Sequence, residues 1–206
     1  MKILHLADLH LGKRVNEFSM LEDQRYILNQ ILDIVEEEAV EVVMICGDVY
    51  DKGIPPVDAI ELLDDFLWKL AEKDCRTLMI SGNHDSGDRL GFGKHLFQNS
   101  NLFIVSQFSG EIEKITIPCG NLPVNFYMLP FVKPVIVNQS LGIHTQSYQE
   151  CLRYLIEHTK IDPEEMNLLM AHQFVTAGKE NPELSDSETS SLGGIDNVDY
   201  RIFDPF

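Results

Sequence analysis

The sequence predicts an α/β fold, a largely parallel sheet with helices on its faces, and three observations carry that expectation. Short apolar runs rich in β-branched residues alternate with stretches of helical periodicity through the first half of the chain. The composition, 44% hydrophobic and 24% charged over 206 residues, is that of an ordinary globular chain able to bury a sizeable core. Four clusters of Asp, Asn and His each follow directly on an apolar run.

The elements follow in order. Met1–Ala7 is a short apolar run closed by polar residues and reads as a buried strand. Ser19 and Glu22 have capping-box spacing, and Ile27, Leu28, Ile31, Leu32 and Val35 then recur on one helical face as far as Glu36, Glu37 and Glu38. Val40–Cys46 is a second strand. Pro55, Pro56 and Asp58 open a helix that carries Ala59, Leu62, Leu63, Phe66, Leu67 and Leu70 on one face. Arg76–Ile80 is a third strand, followed by a short helix over Asp88–Phe97 and a strand at Leu102–Val105. Strands alternating with helices imply parallel pairing through crossovers. The pattern then breaks. Ile112–Ile117 and Val124–Leu129 flank a Pro- and Gly-containing stretch and predict an antiparallel hairpin that extends or faces the sheet. A helix over Gln146–His158 and an apolar run at Met166–Ala171 follow. Thr176–Asp199, rich in Ser, Glu, Asp, Gly and Asn, reads as an exposed loop.

Composition excludes several classes. No apolar stretch reaches the roughly 18 residues of a membrane span, and Met1–Ala7 is too short for a signal-peptide core. The cysteines Cys46, Cys75, Cys119 and Cys151 are far apart with no C-x-x-C pair, which suits buried thiols in a reducing cytoplasm. A cytoplasmic protein without a membrane is therefore expected. A net charge of -17 argues against a surface that coats nucleic acid.

The polar clusters are Asp8-Leu-His10, Gly47-Asp48-Val-Tyr-Asp51, Gly82-Asn83-His84-Asp85 and His172. In open α/β sheets, ligand sites lie outside the carboxyl ends of the strands, so four clusters in four such places should converge. Taken singly each has an ordinary structural reading, as a turn residue or a hydrogen-bonded core histidine. Jointly they point to a site. Carboxylate, amide and imidazole donors without thiolate select divalent ions such as manganese, iron or zinc. Asp48 can bridge two ions with its two oxygens, and a metal pair suits in-line displacement at phosphorus. His84 can hold a proton for the leaving alkoxide, with Asp85 fixing its tautomer. Asp51 could help position water or substrate, or cap its loop. His5, His95 and His158 read as packing, surface or helix-end residues.

The order D-x-H, G-D-x-x-D, G-N-H-D and a late strand-end His resembles the calcineurin-like metallophosphoesterase superfamily. The fuller strings Ile3-Leu-His-Leu-Ala-Asp-Leu-His-Leu-Gly12, Gly47–Asp51, Ser81–Ser86 and Ala171-His-Gln-Phe174 are similar to the SbcD nuclease family. The resemblance implies a β-sandwich with mixed sheets flanked by helices, its catalytic site at strand C-terminal ends, with residues 1–206 forming the nuclease domain. It implies Asp8 and His10 as ligands of one manganese, Asp48 as the bridge, Asn83 and His172 on the other ion, and His84 with Asp85 as the catalytic pair. It further implies cleavage of DNA phosphodiesters in repair, recombination and replication, an SbcC-type ATPase partner, and a homodimer in the full-length protein.

One departure stands out. The family's G-H-x-H motif, which supplies a further ligand to each ion, does not occur, and Gly142-Ile-His144 has the wrong spacing. A chain cut short of that motif, without the capping domain, is the resulting expectation, with weak metal binding and poor turnover by residues 1–206 alone. Lys13, Arg14, Lys52, Arg89 and Lys94 lie in or just after the cluster-bearing loops and are candidate substrate cations, although each also reads as surface. The competing functions are a phosphodiesterase or phosphatase for small nucleotides or phosphoproteins, and an inactive scaffold.

Overall fold

The computed structural model describes residues 1–97, 100–119, 122–177 and 197–206. Most of the expected Thr176–Asp199 loop, and the turn centre at Gly120-Asn121, lie outside the described residues. The fold is mixed α/β with several sheets flanked by helices, as the sequence predicts. The chain divides into two compact units, Met1–Gln107 with Met170–His172, and Phe108–Leu169 with Gln173–Phe206.

In the first unit, β1 (Ile3–Leu6), β4 (Val42–Cys46), β5 (Arg76–Ile80) and β6 (Leu102–Val105) form a parallel sheet in the order β1-β4-β5-β6. The two inner strands are almost entirely buried, which is why Val-Val-Met-Ile-Cys reads as an unbroken apolar run rather than an alternation. Helix α1 (Leu21–Glu37) buries Leu28, Leu32 and Val35, and α2 (Val57–Glu72) buries Ala59, Leu62, Leu63, Phe66 and Leu70. Together with Val43, Ile45 and Met79 of the sheet they make one hydrophobic cluster.

Several expectations are corrected. The Ser19–Glu22 capping box does not form. Ser19 is committed to a small antiparallel hairpin, β2 (Arg14–Val15) with β3 (Phe18–Ser19), and the helix starts two residues later with Met20 as its N-cap. The Ser19 hydroxyl instead accepts from the Leu21 N–H at 3.4 Å. Ile27 lies off the packed face, 50% exposed. The helix expected over Asp88–Phe97 is split into α3 (Gly87–Leu90) and α4 (Lys94–Phe97). Gly93, at φ +76°, sits between the two pieces in a conformation that a helix cannot contain.

A further sheet has the order β7 (Glu113–Cys119), β8 (Leu122–Leu129) and β9 (Met166–Ala171), with β7 and β8 antiparallel as expected; β7, β8 and β9 as far as Leu169 belong to the second unit. Asn125, 1% exposed, is satisfied by Thr116, Glu165 and Asn167. Helix α6 (Tyr148–Glu157) is capped by the Ser147 hydroxyl, which accepts from the Glu150 N–H, and His158 ends it by donating from Nδ1 to the Tyr154 carbonyl at 2.8 Å. Helix α5 (Pro134–Leu141) was not expected, because Val135, Ile136 and Val137 are poor helix formers. Pro134 at its start and Gly142 in the left-handed conformation after its end were the available signals. The short pair β10 (Val175–Thr176) and β11 (Val198–Asp199) and a 3-10 turn at Tyr200–Phe203 complete the unit. Among the described residues, no helix is long and apolar enough to cross a membrane.

Phe66 is 1% exposed and lies at the centre of the first unit's core. Phe66→Ala should therefore cost about 3–5 kcal/mol in transfer and cavity terms, read by urea denaturation. A loss under about 1 kcal/mol would show that α2 is not anchored through this ring.

Candidate metal centre

The clusters that the sequence places at strand ends come together around one carboxylate. Asp48, 3% exposed, follows β4, and its Oδ2 lies 3.7 Å from His10 Nε2, 3.9 Å from His84 Nε2 and 3.5 Å from His172 Nε2. Asp8, 56% exposed at its side chain, puts Oδ1 3.7 Å from His10 Nε2. Asn83 Oδ1 is 3.2 Å from His172 Nε2. His10, Asp48 and His84 form one close set of potential ligand atoms, and Asp8, Asp48 and His172 form a second that shares Asp48.

Local backbone geometry makes the convergence possible. Asp8, His10 and Asp48 all have positive φ, at 55°, 43° and 47°. Such left-handed turns cost a non-glycine residue of the order of 1 kcal/mol each, and Asp and His tolerate them better than most. The β1 and β4 loops are stitched together where they turn. The Asp8, His10 and Leu11 N–H groups donate to the Gly47, Asp48 and Val49 carbonyls at 3.2, 2.9 and 2.9 Å. Two glycines keep the space clear. A Cβ on Gly47, itself at φ +87°, would meet the His172 side chain at 2.4–2.7 Å, and one on Gly82 would lie 2.0 Å from Asp48 Oδ1.

Hydrogen bonds fix the tautomers. His172 Nδ1 donates to the Cys46 carbonyl at 2.8 Å and His84 Nδ1 to the Asp51 carbonyl at 2.9 Å, so in the neutral rings both Nε2 atoms present lone pairs. Asp85 does not perform the task expected of it. Its carboxylate accepts from the Val49, Tyr50 and Gly82 N–H groups at 3.1, 2.9 and 2.9 Å, and the His84 ring is oriented by the Asp51 backbone instead. Asp85 is therefore a brace for the β4 and β5 loops. Gln24, absent from the sequence reading, does the same for the β1 loop. Its Oε1 accepts from the Gly12 N–H at 3.0 Å, and its Nε2 donates to the Leu9 and His10 carbonyls at 3.1 and 2.7 Å. A lone Gln on a helix gives no sequence signal for this.

Charge balance follows from the same contacts. Burial pushes the Asp48 carboxyl up, but His172 and the donated His84 N–H at 2.9 Å outweigh it, and the pKa sits below the usual value. The Asp8 and Asp48 carboxylates raise His10 against the opposing effect of burial. His172 is drawn down by burial and raised further by Asp48, for a net upward shift. Burial raises Asp85 despite its three backbone donors.

The donors fit a divalent-metal centre. His10 Nδ1 is buried without a hydrogen-bond partner, and Asp48 Oδ2 faces three imidazoles with no proton donor among the neutral Nε2 atoms of His84 and His172. Burial pushes the nearby Cys46 thiol up to about 12, so no thiolate competes for the ion. The residues that could hold metal are His10, Asp48 and His84 in one set and Asp8, Asp48 and His172 in the other, with the Asn83 amide oxygen 3.2 Å from His172 Nε2. Of the five candidate cations, two have structural engagements: Arg89 donates to the Gly53 carbonyl at 3.0 Å and Arg14 to the Glu17 carbonyl. Lys13 and Lys94 are half-buried, and Lys52 is exposed.

The calcineurin-like phosphoesterase family model matches residues 1–203. The chain belongs to the calcineurin-like phosphoesterase family, whose members are metal-dependent phosphoester hydrolases.

Asp85→Ala leaves three backbone N–H groups without their acceptor and should cost roughly 2–4 kcal/mol. It should also weaken Mn2+ binding about 10- to 100-fold, because the loops that present Asp48 lose their brace. Urea denaturation and calorimetric titration check the two effects, and unchanged values for both would remove Asp85 from the support of the site.

Proposed function

We propose that this chain is a DNA phosphodiesterase of the SbcD type, hydrolysing DNA with two divalent ions, manganese first, in cytoplasmic repair, recombination or replication. The partners of this reading are DNA, an SbcC-type ATPase and, in the full-length protein, a second copy. The observation that carries the hydrolytic part is the buried Asp48 carboxylate, with three imidazole Nε2 atoms within 3.9 Å of one oxygen. The D-L-H-L-G-K string at Asp8–Lys13 and the cations Lys13, Arg14 and Lys52 support DNA as the substrate.

When bound, a pair of divalent ions supplies charge neutralisation at the phosphoryl group and lowers the pKa of the attacking water. Asp48 presents Oδ2 to both ligand sets while Oδ1 is held by the His84 N–H. His84 is anchored through Nδ1, so Nε2 is the atom that takes up a proton and returns it to the leaving alkoxide oxygen. The half-exposed Asp8 keeps one side of the site open, which suits a polymeric ester. A small phosphodiester is the second reading, favoured by the net charge of -17, which opposes binding of a polyanion.

With Mn2+, the chain should hydrolyse linear DNA with a higher kcat/KM than bis-p-nitrophenyl phosphate. The reverse order selects the small-ester reading, and Mn2+ binding with no turnover of either by a chain that carries the G-H-x-H ligands selects an inactive scaffold. His84→Gln should lower kcat about 10²- to 10⁴-fold with Mn2+ binding retained. Unchanged kcat removes His84 from proton transfer, and lost Mn2+ binding makes it a ligand.

A further inference from the structure

Between the His10 loop and α1 the chain builds a hairpin whose apolar face the hydrolytic reading does not use. Strands β2 and β3 pair with Arg14 opposite Ser19 and Val15 opposite Phe18. The two connecting residues, Asn16 and Glu17, both have positive φ, at 47° and 68°, the signature of a tight hairpin turn whose twist matches its strands. Glycine, the residue that most easily adopts such angles, occupies neither position, so the turn is held by its surroundings.

Those surroundings are visible. The Lys13 N–H donates to the His10 carbonyl at 3.0 Å, the Met20 N–H to the Lys13 carbonyl at 3.0 Å, and the Arg14 guanidinium to the Glu17 carbonyl. The root is thus tied to a residue of the metal centre. Residues directly opposite in an antiparallel pair share a face. That face presents Phe18, 77% exposed, beside Val15, 45% exposed. A two-stranded ribbon gains little from its own pairing, and an aromatic ring on its solvent face adds no core.

We propose that this hairpin is a base-stacking platform, on which Phe18 receives an unpaired base of the DNA strand that enters the metal centre. The inference rests on the nuclease reading above. Its occupant follows from position and charge. Lys13 and Arg14 stand at the root, nearest the His10 loop, where a phosphate backbone would run, and the acidic Glu17 stands at the turn. With Glu22 and Asp23 opening α1 just beyond, Lys13 and Arg14 face three carboxylates and the segment has no net positive charge, so phosphate attraction alone does not hold a strand there. An exposed aromatic face supplies the missing affinity, because every base has a π-face and stacking is tolerant of sequence.

The test is steady-state cleavage of a single-stranded oligonucleotide with Mn2+, set beside turnover of bis-p-nitrophenyl phosphate, which has no base. Phe18→Ala should lower kcat/KM for the oligonucleotide about 5- to 100-fold, mainly through KM. Turnover of the small diester should be unchanged, and Phe18→Tyr and Phe18→Trp should restore the oligonucleotide reaction. Oligonucleotide kinetics within twofold of wild type for Phe18→Ala overturn the proposal and leave the ring to a protein partner. A loss shared by the small diester, or one that the aromatic replacements do not rescue, overturns it as well. A wild-type chain that hydrolyses the small diester and ignores the oligonucleotide removes the nuclease reading and the platform together, whereas a nuclease insensitive to Phe18 removes the platform alone.

Discussion

The first unit is organised around a carboxylate that should not be comfortable where it is. Asp48 is 3% exposed at the end of a fully buried strand, and an unpaired charge in such a place carries a penalty of several kcal/mol. Everything near it reduces that penalty. His84 lends a backbone N–H to one oxygen, three imidazoles face the other, and the chain omits a Cβ at Gly82 and Gly47, where one would overlap Asp48 or the His172 ring. A buried carboxylate with one backbone N–H donor on Oδ1 and three imidazole Nε2 atoms around Oδ2 is not fully compensated. Divalent cations would supply the missing positive charge, and His10 Nδ1, without a hydrogen bond and 3.8 Å from Asp51 Oδ1, belongs to the same balance.

Holding the candidate ligands in place falls largely to groups outside both sets of potential ligand atoms. Asp85 gathers three N–H groups from two loops, Gln24 reaches from α1 to two carbonyls and an N–H of the first loop, and the Asp51 carbonyl sets the His84 ring. These braces explain how three ligand-bearing residues can sit at positive φ without relaxing, since the surrounding hydrogen bonds over-determine them. Local strain and support by the second layer are two sides of one arrangement.

How much of this was legible depends on the range of the interaction. Strands β5 and β6 have the bounds expected, because a parallel strand largely covered on both faces is a short apolar run and nothing else competes for it. The convergence of Asp8, His10, Asp48, Asn83, His84 and His172 was also readable, because the ends of neighbouring strands must lie together. What failed was local chemistry overridden by tertiary context. Ser19 has the right spacing for a capping box but is claimed by a hairpin, and Asp85 looks like a partner for the adjacent His84 but turns to backbone N–H groups that are distant in sequence. Neither Gln24 nor the hairpin is written in any motif.

The fold and metal chemistry serve any phosphate ester, so the substrate must be chosen by what surrounds the centre. A net charge of -17 means that a polyanion gains nothing from the average surface and must be held by particular contacts. Arg89 and Arg14 are partly spent on carbonyls, at Gly53 and Glu17, which leaves few uncommitted cations near the site. A chain built this way can still act on DNA if three conditions combine. Bound cations must supply positive charge at the scissile phosphate, a stacking surface must replace part of the missing electrostatic affinity, and a partner must supply the grip on the duplex. The same reasoning works in reverse for a small diester, which needs only the first. The discriminating property is therefore not the presence of the metal centre but whether affinity grows with the length of the nucleic acid presented to it.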